Sequence, residues 1–272
     1  MLKHPDIDPI AFSLGHYDLP VLGNVALDVR WYGLMYLVGF VAAWLLGRMR
    51  AGKPGAIINR EQIGDMIFWG ALGVILGGRL GYTFFYSFEN FLQDPLSVIR
   101  VWEGGMAFHG GFIGVIVTLL IFARVHKKTF FQIGDFVAPL IPIGLGAGRI
   151  GNFINGELYG RVSDAPWAMN FGQPGIYRHP SQLYEFFFEG LVLFVVLWFY
   201  SSKPKPRMAV SGLFVFLYGI FRFGVEFYRE PDAHIGYLAA ELTMGQILSA
   251  PMILLGLVLL IWAYRKRVID NP

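Results

Sequence analysis

The sequence contains no cysteine among its 272 residues. The chain itself therefore forms no disulfide, no thiolate zinc site and no cysteine nucleophile. Charged residues are also scarce, at 15% of the chain, whereas an ordinary soluble domain has roughly a quarter. So few charges cannot cover a water-facing surface or keep a chain disordered, which leaves a membrane-embedded protein. Any thiol chemistry must use a thiol from another molecule.

Signature motifs of several function classes are missing as well. The segment 109–111 (HGG) resembles the oxyanion segment of lipases, but no Gly-x-Ser-x-Gly elbow supplies a nucleophile. The six histidines are scattered without paired spacing, so we predict no metal site. The net charge of +3 is a weak sign of nucleic-acid binding and in a membrane protein reflects the loops. We therefore expect no nucleic-acid partner and no organic cofactor.

Long apolar stretches dominate the chain, whose mean hydropathy is +0.52. A membrane span needs roughly 20 apolar residues, and this pattern predicts an all-α, polytopic integral membrane protein with about seven transmembrane helices. The predicted spans are 29–47, 64–86, 105–123, 133–150, 182–200, 210–228 and 245–264. Glycines at 73, 77 and 81, at 110 and 114, and at 144 and 148 recur every four residues, which lets helices pack closely.

Basic residues predict the orientation of these spans. Thirteen of the 22 lysines and arginines lie in the segments that follow spans one, three, five and seven, all on one side. The positive-inside rule assigns that side to the cytoplasm, with the N-terminus outside and the C-terminus inside. We expect residues 1–28 to form a tail or interfacial segment, 29–264 a single transmembrane domain, and 265–272 a cytoplasmic tail.

Polar residues inside the predicted spans collect in the outer half of the bilayer. His109, Arg149 and Arg222 come from three different spans and are expected at similar depth. Each arginine inside a membrane costs about 2.5–3.5 kcal/mol on insertion scales, so this grouping needs a cause. A shared cavity that opens to the outer leaflet supplies one. Its excess of arginine favours an anionic ligand such as a phospholipid headgroup.

Structural explanations compete with this interpretation. Glu226 lies four residues after Arg222 and three before Arg229, so a single helix face can neutralise these charges. Glu185 and Glu189 can act as acid–base groups or as counter-ions for Arg79 or Arg149, and we favour counter-ions. His109 can be a helix-packing residue, although its expected position at the cavity mouth beside Glu103 favours a chemical role.

A glycine-rich run at the outer end of the fourth predicted span allows two interpretations. Residues 146–151 match the dinucleotide-binding pattern Gly-x-Gly-x-x-Gly by letters, but no strand precedes them. We expect instead that these glycines break the helix and bring backbone N–H groups close to an anion, with Arg149 between them.

Five segments resemble the prolipoprotein diacylglyceryl transferase family. They are WYGLMY at 31–36, GGMAFHGG at 104–111, GAGRIGNFINGE at 146–157, RHPSQLYE at 178–185, and YGIFRFGVEFYREPD at 218–232. The resemblance covers nearly the whole chain in the right order. The run at 146–157 is long and highly specific, whereas the resemblance does not rely on residues 1–28 or 162–177.

This resemblance implies a reaction and a set of site residues. The family transfers the diacylglyceryl group of phosphatidylglycerol to the lipobox cysteine of a prolipoprotein signal peptide. A thioether forms and glycerol phosphate leaves. The implied catalytic residues are His109, Arg149 and Arg222. The implied substrate-binding set is Tyr32, Asn152, Glu157, Gly160, Tyr218, Glu226 and Arg229. The expected location is the bacterial inner membrane, with residues 1–28 and the active site on the periplasmic side and 29–264 as the catalytic domain.

The main alternative is a transporter or flippase for lipids or small anions, since broken helices and buried charges also mark transport sites. Transport requires access from both leaflets, whereas the inner halves of these spans are almost purely apolar. A scaffold protein is a weaker alternative because it gives no reason for an arginine-lined cavity.

Overall fold

The structure is a computed structural model that describes residues 2–19, 23–101, 104–231 and 242–269. It divides into two compact units, one formed by residues of 1–43 and 137–269 and the other by residues of 44–136. In the described ranges, six helical segments are long and apolar enough to cross a membrane, and a shorter apolar helix, Ala209–Val225, corresponds to the sixth predicted span. The prediction of a helical, polytopic membrane protein is confirmed, although short strands accompany the helices.

Helices form most of both units, and their bounds lie close to the predicted spans. They are α1 Trp31–Ala51, α2 Arg60–Tyr86, α3 Phe88–Gln93, α4 Phe108–Val125, α5 Phe130–Val137, α6 Ile141–Ile154, α7 Ser181–Glu185, α8 Leu193–Tyr200, α9 Ala209–Val225 and α10 Met244–Lys266. Reciprocal capping boxes begin two of them, with Asn59 and Gln62 at α2 and Thr243 and Gln246 at α10. Each box satisfies backbone N–H groups that a helix start leaves without partners.

Small residues join α2 to α4, as the glycine spacing predicts. A Cβ atom added to Gly81 would lie 2.8 Å from Gly110 Cα, and one added to Gly77 would lie 3.0 Å from Gly114 Cα. Because these contacts are backbone to backbone, side chains larger than hydrogen have no room at the crossing.

The fourth predicted span is α5 and α6 joined by the 3₁₀ turn Ala138–Leu140. Pro139 and Pro142 lie in the first turns of the 3₁₀ and α6 segments, where a missing N–H is tolerated. The expected break at the glycines of 146–151 is wrong, because α6 continues to Ile154. Gly146 instead packs against Gly190, whereas a Cβ on Gly148 would meet nothing within 4 Å.

The fifth predicted span is helical but not uniformly α. A π-helical segment, Phe186–Val192, connects α7 to α8. Such wide turns are uncommon and often occur at functional sites. In α8, which follows this segment, Leu193 and Leu197 are fully buried and pack with Ala138, Val210 and partly buried side chains of α9. This apolar core packs α9 against α8, the helix that continues from the π-helical segment.

The N-terminal residues form strands, which the interpretation as a tail or interfacial segment did not include. Strands β2 Ile10–Leu19 and β3 Gly23–Arg30 are antiparallel, and β1 Leu2–Lys3 pairs in parallel with β4 Met169–Asn170. Alternating apolar residues at 10, 12 and 14 and at 25, 27 and 29 are the signal for the hairpin.

Candidate active site

Two arginines from different helices meet at one carboxylate. Glu185, the last residue of α7, has Oε2 at 2.7 Å from Nε of Arg149 on α6. Its Oε1 accepts a hydrogen bond from Nη1 of Arg222 on α9. The Glu185 side chain is 1% exposed. The expectation that Arg149 and Arg222 converge is therefore met in the first unit, through a shared buried counter-ion.

Two further charged residues follow Arg222, at the carboxyl end of α9 and just beyond it. Arg222 Nη2 is 3.0 Å from Glu226 Oε2, and Arg229 Nη1 is 3.9 Å from the same oxygen. These are the i,i+4 and i,i+3 pairs that the sequence predicts. Glu226 Oε1 also accepts a hydrogen bond from the hydroxyl of Thr243, the N-cap of α10, at 3.0 Å. The amino end of α10 thus adds a favourable dipole to the Glu226 carboxylate.

Glu189, in the π-helical segment, is the third carboxylate beside these arginines. Its side chain is 0% exposed, with Oε2 at 3.8 Å from Arg149 Nη2 and Oε1 at 3.9 Å from Arg222 Nη1. Neither oxygen has a hydrogen-bond donor among the residues that the structure describes. Glu189 therefore contacts the same two cations as Glu185, but less closely.

We call six of these side chains the arginine–glutamate cluster: Arg149, Arg222, Arg229, Glu185, Glu189 and Glu226. Its three arginines are 12–21% exposed, whereas its three carboxylates are 0–4% exposed. The three carboxylates are thus more deeply buried than the three arginine side chains. The expected excess of arginine is absent from this cluster, because three positive charges match three negative ones. Its more exposed members are nevertheless the arginines, and a guanidinium group can bind a phosphate bidentately.

Asn152 connects Arg149 to a second carboxylate outside the cluster. Asn152 is buried and donates from Nδ2 to Glu157 Oε1 at 2.8 Å, while its Oδ1 accepts from Arg149 Nη1 at 3.5 Å. Gln182 donates to the backbone carbonyl of Glu157 at 2.6 Å. These bonds hold the loop that follows α6 against the start of α7.

The two predicted tyrosines lie beside these charges. Tyr32, on α1, packs on α6, because a Cβ added to Gly151 would lie 2.8 Å from its Cδ2. The charges of Glu157 and Arg149 both act on its hydroxyl. Tyr218, one turn before Arg222 on α9, lies within electrostatic range of Glu189 and Arg222.

Gly160 lies where three backbone segments cross. Its N–H donates to His179 O at 2.8 Å, and it forms an isolated antiparallel bridge with Arg229. A Cβ atom there would lie 2.8 Å from His179 O and would also contact Tyr228 O, so only glycine fits. Gly160 therefore helps to fix the backbone that carries Arg229.

Burial keeps the pKa of His179 below its ordinary value.

His109 and Arg79 lie in the second unit. His109 occupies the first turn of α4 and is exposed; Glu103, expected beside it, lies outside the described residues. Arg79, on α2, is buried and donates to the carbonyls of Val98 at 3.0 Å and Gly105 at 3.1 Å, and also to those of Ser97 and Gly104. Among the residues that the structure describes, backbone carbonyls therefore satisfy Arg79, and no carboxylate pairs with it. A cavity of about 120 Å³ lies beside it.

The sequence pattern did not place two of these buried carboxylates among the expected site residues. It favoured Glu185 and Glu189 as counter-ions for Arg79 or Arg149. The pairing with Arg149 is confirmed, but their shared contact with Arg222 was missed. The available signal was two carboxylates four residues apart in an apolar helix. No comparable pattern in the sequence pointed to Thr243 as a partner of Glu226.

Within the described part of the chain, no group of three or more His, Asp or Glu side chains could hold a metal ion.

Known proteins are similar to almost the entire chain. A family model described as "Prolipoprotein diacylglyceryl transferase" matches residues 20–262. A protein from Chromohalobacter salexigens named "Phosphatidylglycerol--prolipoprotein diacylglyceryl transferase" is 56% identical, with 99% of this chain and 97% of that protein covered. Proteins of the same name from Pseudomonas aeruginosa and Oleidesulfovibrio alaskensis are 54% and 56% identical, each with 98% of this chain and 97% of the relative covered. The chain therefore belongs to the prolipoprotein diacylglyceryl transferase family.

Proposed function

We propose that this protein transfers the diacylglyceryl group of phosphatidylglycerol to the cysteine thiol of a prolipoprotein, the first step of lipoprotein maturation. The bond between the diacylglyceryl carbon and the phosphate oxygen breaks, and a carbon–sulfur bond forms. The thiol loses its proton and glycerol phosphate leaves. The absence of cysteine from this chain agrees with a thiol supplied by the substrate.

One observation carries the proposal: Arg149 and Arg222, from separate helices, converge on the buried carboxylate of Glu185, while their own side chains stay 21% and 12% exposed. The attacked phosphodiester carries one negative charge, and the departing monoester develops a second. Two guanidinium groups held in place oppose that charge without having to reorganise, which is the largest kind of contribution in most enzymes. Arg149 and Arg222 then bind the phosphate and stabilise the leaving group.

His109 has the smaller task of orienting or deprotonating the thiol. A thiol with a pKa near 8.5 is already a few per cent thiolate at pH 7, so complete deprotonation gains only about 30-fold. Losing one preorganised donor to a developing anion costs about 10²–10³-fold. The arginines therefore contribute more to the rate than His109 does.

The remaining residues bind substrate or support the arginines. Glu226 and Arg229 belong to the arginine–glutamate cluster, and Asn152 and Glu157 brace Arg149. Tyr32 and Tyr218 present hydroxyl groups near these charges. Gly160 fixes the backbone bridge to Arg229. No metal or organic cofactor enters this scheme.

A direct assay tests the reaction. Purified protein is incubated with phosphatidylglycerol and a lipobox peptide, and mass spectrometry follows the peptide. We expect a gain of one diacylglyceryl unit with release of glycerol phosphate. Arg222→Ala should lose at least about 100-fold in turnover, whereas Arg124→Ala, at an exposed position in the last turn of α4, should retain normal turnover. Near-normal activity of Arg222→Ala would refute the role given to this arginine.

We further propose that the protein lies in the bacterial inner membrane with its active site on the periplasmic side. Residues 1–28 would form a periplasmic or interfacial segment, 29–264 the catalytic domain and 265–272 a cytoplasmic tail. The basic loops support this orientation. Because the chain has no cysteine, single-cysteine variants can test it. An impermeant maleimide should label Gln173→Cys but not Ser202→Cys in spheroplasts, and the reverse pattern would invert the orientation.

A further inference from the structure

Glu189 differs from the other two carboxylates of the arginine–glutamate cluster. Glu185 lies within 2.7 Å of Arg149 Nε and accepts a hydrogen bond from Arg222. Glu226 lies 3.0 Å from Arg222 Nη2 and accepts a hydrogen bond from Thr243. Glu189 has only the longer contacts of 3.8 and 3.9 Å, and the described residues offer no donor to either of its oxygens. Of the three, Glu189 therefore loses least if its carboxylate becomes neutral.

The charge balance of the cluster changes when an anion binds. Three arginines and three carboxylates give no net charge, and a phosphodiester adds one negative charge beside buried groups. Two carboxylates that share a buried site both stay ionised only when enough positive charge faces them. The groups that face Glu189 are Arg149 on α6, Arg222 and the Tyr218 hydroxyl on α9, Arg229 beyond α9, and Glu185 on its own helix. A bound phosphate takes a share of the same guanidinium groups.

We propose that Glu189 takes up a proton when the phosphate of phosphatidylglycerol binds Arg149 and Arg222. The inference rests on the proposed function, since it uses the same lipid and the same arginines. Protonation restores the neutral balance and leaves Glu185 as the ionised clamp. The arginines can then turn their hydrogen-bonding capacity toward the phosphate without leaving two buried anions opposite it.

The proposal predicts that lipid binding depends on pH in a defined direction. Because binding takes up a proton, the affinity for phosphatidylglycerol falls as pH rises, by up to about tenfold per pH unit. Glu189→Gln carries no titratable group at this position and resembles the protonated form in shape. Its affinity should be nearly independent of pH and should exceed that of the wild-type protein at alkaline pH.

Calorimetry of the full-length protein in detergent tests the proposal. Short-chain phosphatidylglycerol is titrated in two buffers of different ionisation enthalpy, between about pH 6 and pH 9. We expect uptake of up to one proton per lipid bound in the wild-type protein and close to none in Glu189→Gln. Glu230→Gln is the matched control, because this carboxylate is 47% exposed and pairs with Arg178; its proton uptake should equal that of the wild-type protein.

The outcomes separate this inference from the proposed function. If phosphatidylglycerol does not bind at all, the proposed function fails. If it binds with no proton uptake, or if Glu189→Gln keeps the wild-type uptake, only the role of Glu189 is overturned. Should Glu189→Gln fail to fold, infrared difference spectra of the wild-type protein decide. A C=O band that shifts on exchange into D₂O, as a protonated carboxyl does and the lipid esters do not, must appear when the lipid is added, and its absence overturns the proposal.

Discussion

Replacing Glu185 with alanine should disable both arginines at once. The carboxylate is 1% exposed and is the shared partner of Arg149 and Arg222. Removing one partner of a buried ion pair costs about 3–5 kcal/mol, because the remaining charge is left without compensation. At about 1.4 kcal/mol per decade, this corresponds to a loss of about 10²-fold to about 4 × 10³-fold if it falls on the transition state. Glu185→Gln keeps the shape and an acceptor oxygen, so its loss should be smaller.

The assay is release of glycerol phosphate from phosphatidylglycerol in the presence of a lipobox peptide. Because the arginines lose their fixed positions, kcat should fall, and a higher lipid concentration should not restore it. Glu230→Ala removes an exposed carboxylate from a surface pair, which is worth roughly 1 kcal/mol at most. Turnover of Glu185→Ala within a few-fold of wild type, with Glu230→Ala unchanged, would refute the reasoning. If the alanine variant does not fold, Glu185→Gln carries the same test.

Three further predictions concern the supporting structure. Gly190→Ala should lower the melting temperature, because its Cβ would lie 2.8 Å from a backbone Cα of α6 and overpacking costs about 1–3 kcal/mol. Gly148→Ala is the control and should leave the melting temperature unchanged, because a Cβ there meets open space. Equal melting temperatures of the two variants would contradict the packing argument. Arg79→Lys should speed hydrogen exchange in the segments whose four carbonyls the guanidinium binds, because one ammonium offers three donors; unchanged exchange would remove that role. Burial lowers the pKa of His179 from its ordinary 6.5. The unfolded chain therefore binds a proton at this residue more readily than the folded protein does, and stability falls as pH drops below 6.5. His179→Gln should reduce this loss in melting experiments at about pH 7.5 and pH 5.5, and an identical loss in the variant would assign it to other groups.

The sequence was sufficient to predict the membrane spans and the pairs along α9. Span prediction works because the backbone N–H and C=O groups inside a bilayer find no water and must bond to one another, as they do in a helix. The long apolar stretches that such helices need are visible in the hydropathy of the sequence. The pair of Arg222 with Glu226 follows from helical spacing alone. The same spacing predicted the pair of Glu226 with Arg229, although Arg229 lies beyond α9, in a backbone bridge with Gly160. The convergence of Arg149 and Arg222 was predicted from the orientation of their spans and from their depth in the bilayer. Both are properties of a whole span and can be predicted without knowing where individual side chains point.

Other features depend on side-chain directions that spacing does not determine. The π-helical segment Phe186–Val192 changes which side chains share a face, and no residue type in it predicts a wide turn. The unequal contacts of Glu185 and Glu189 arise from that local geometry. The glycines at 146–151 suggested a broken helix, because glycine both breaks helices and permits close packing. Only the neighbouring Gly190 decides in favour of packing.

The most direct test of the central claim is an experimental structure with phosphatidylglycerol bound. The account predicts that the lipid phosphate lies within hydrogen-bond distance, about 3 Å, of guanidinium nitrogens of both Arg149 and Arg222. Glu185 should remain paired with the two arginines on the buried side. A phosphate held by other residues, with neither arginine in contact with it, would contradict the account.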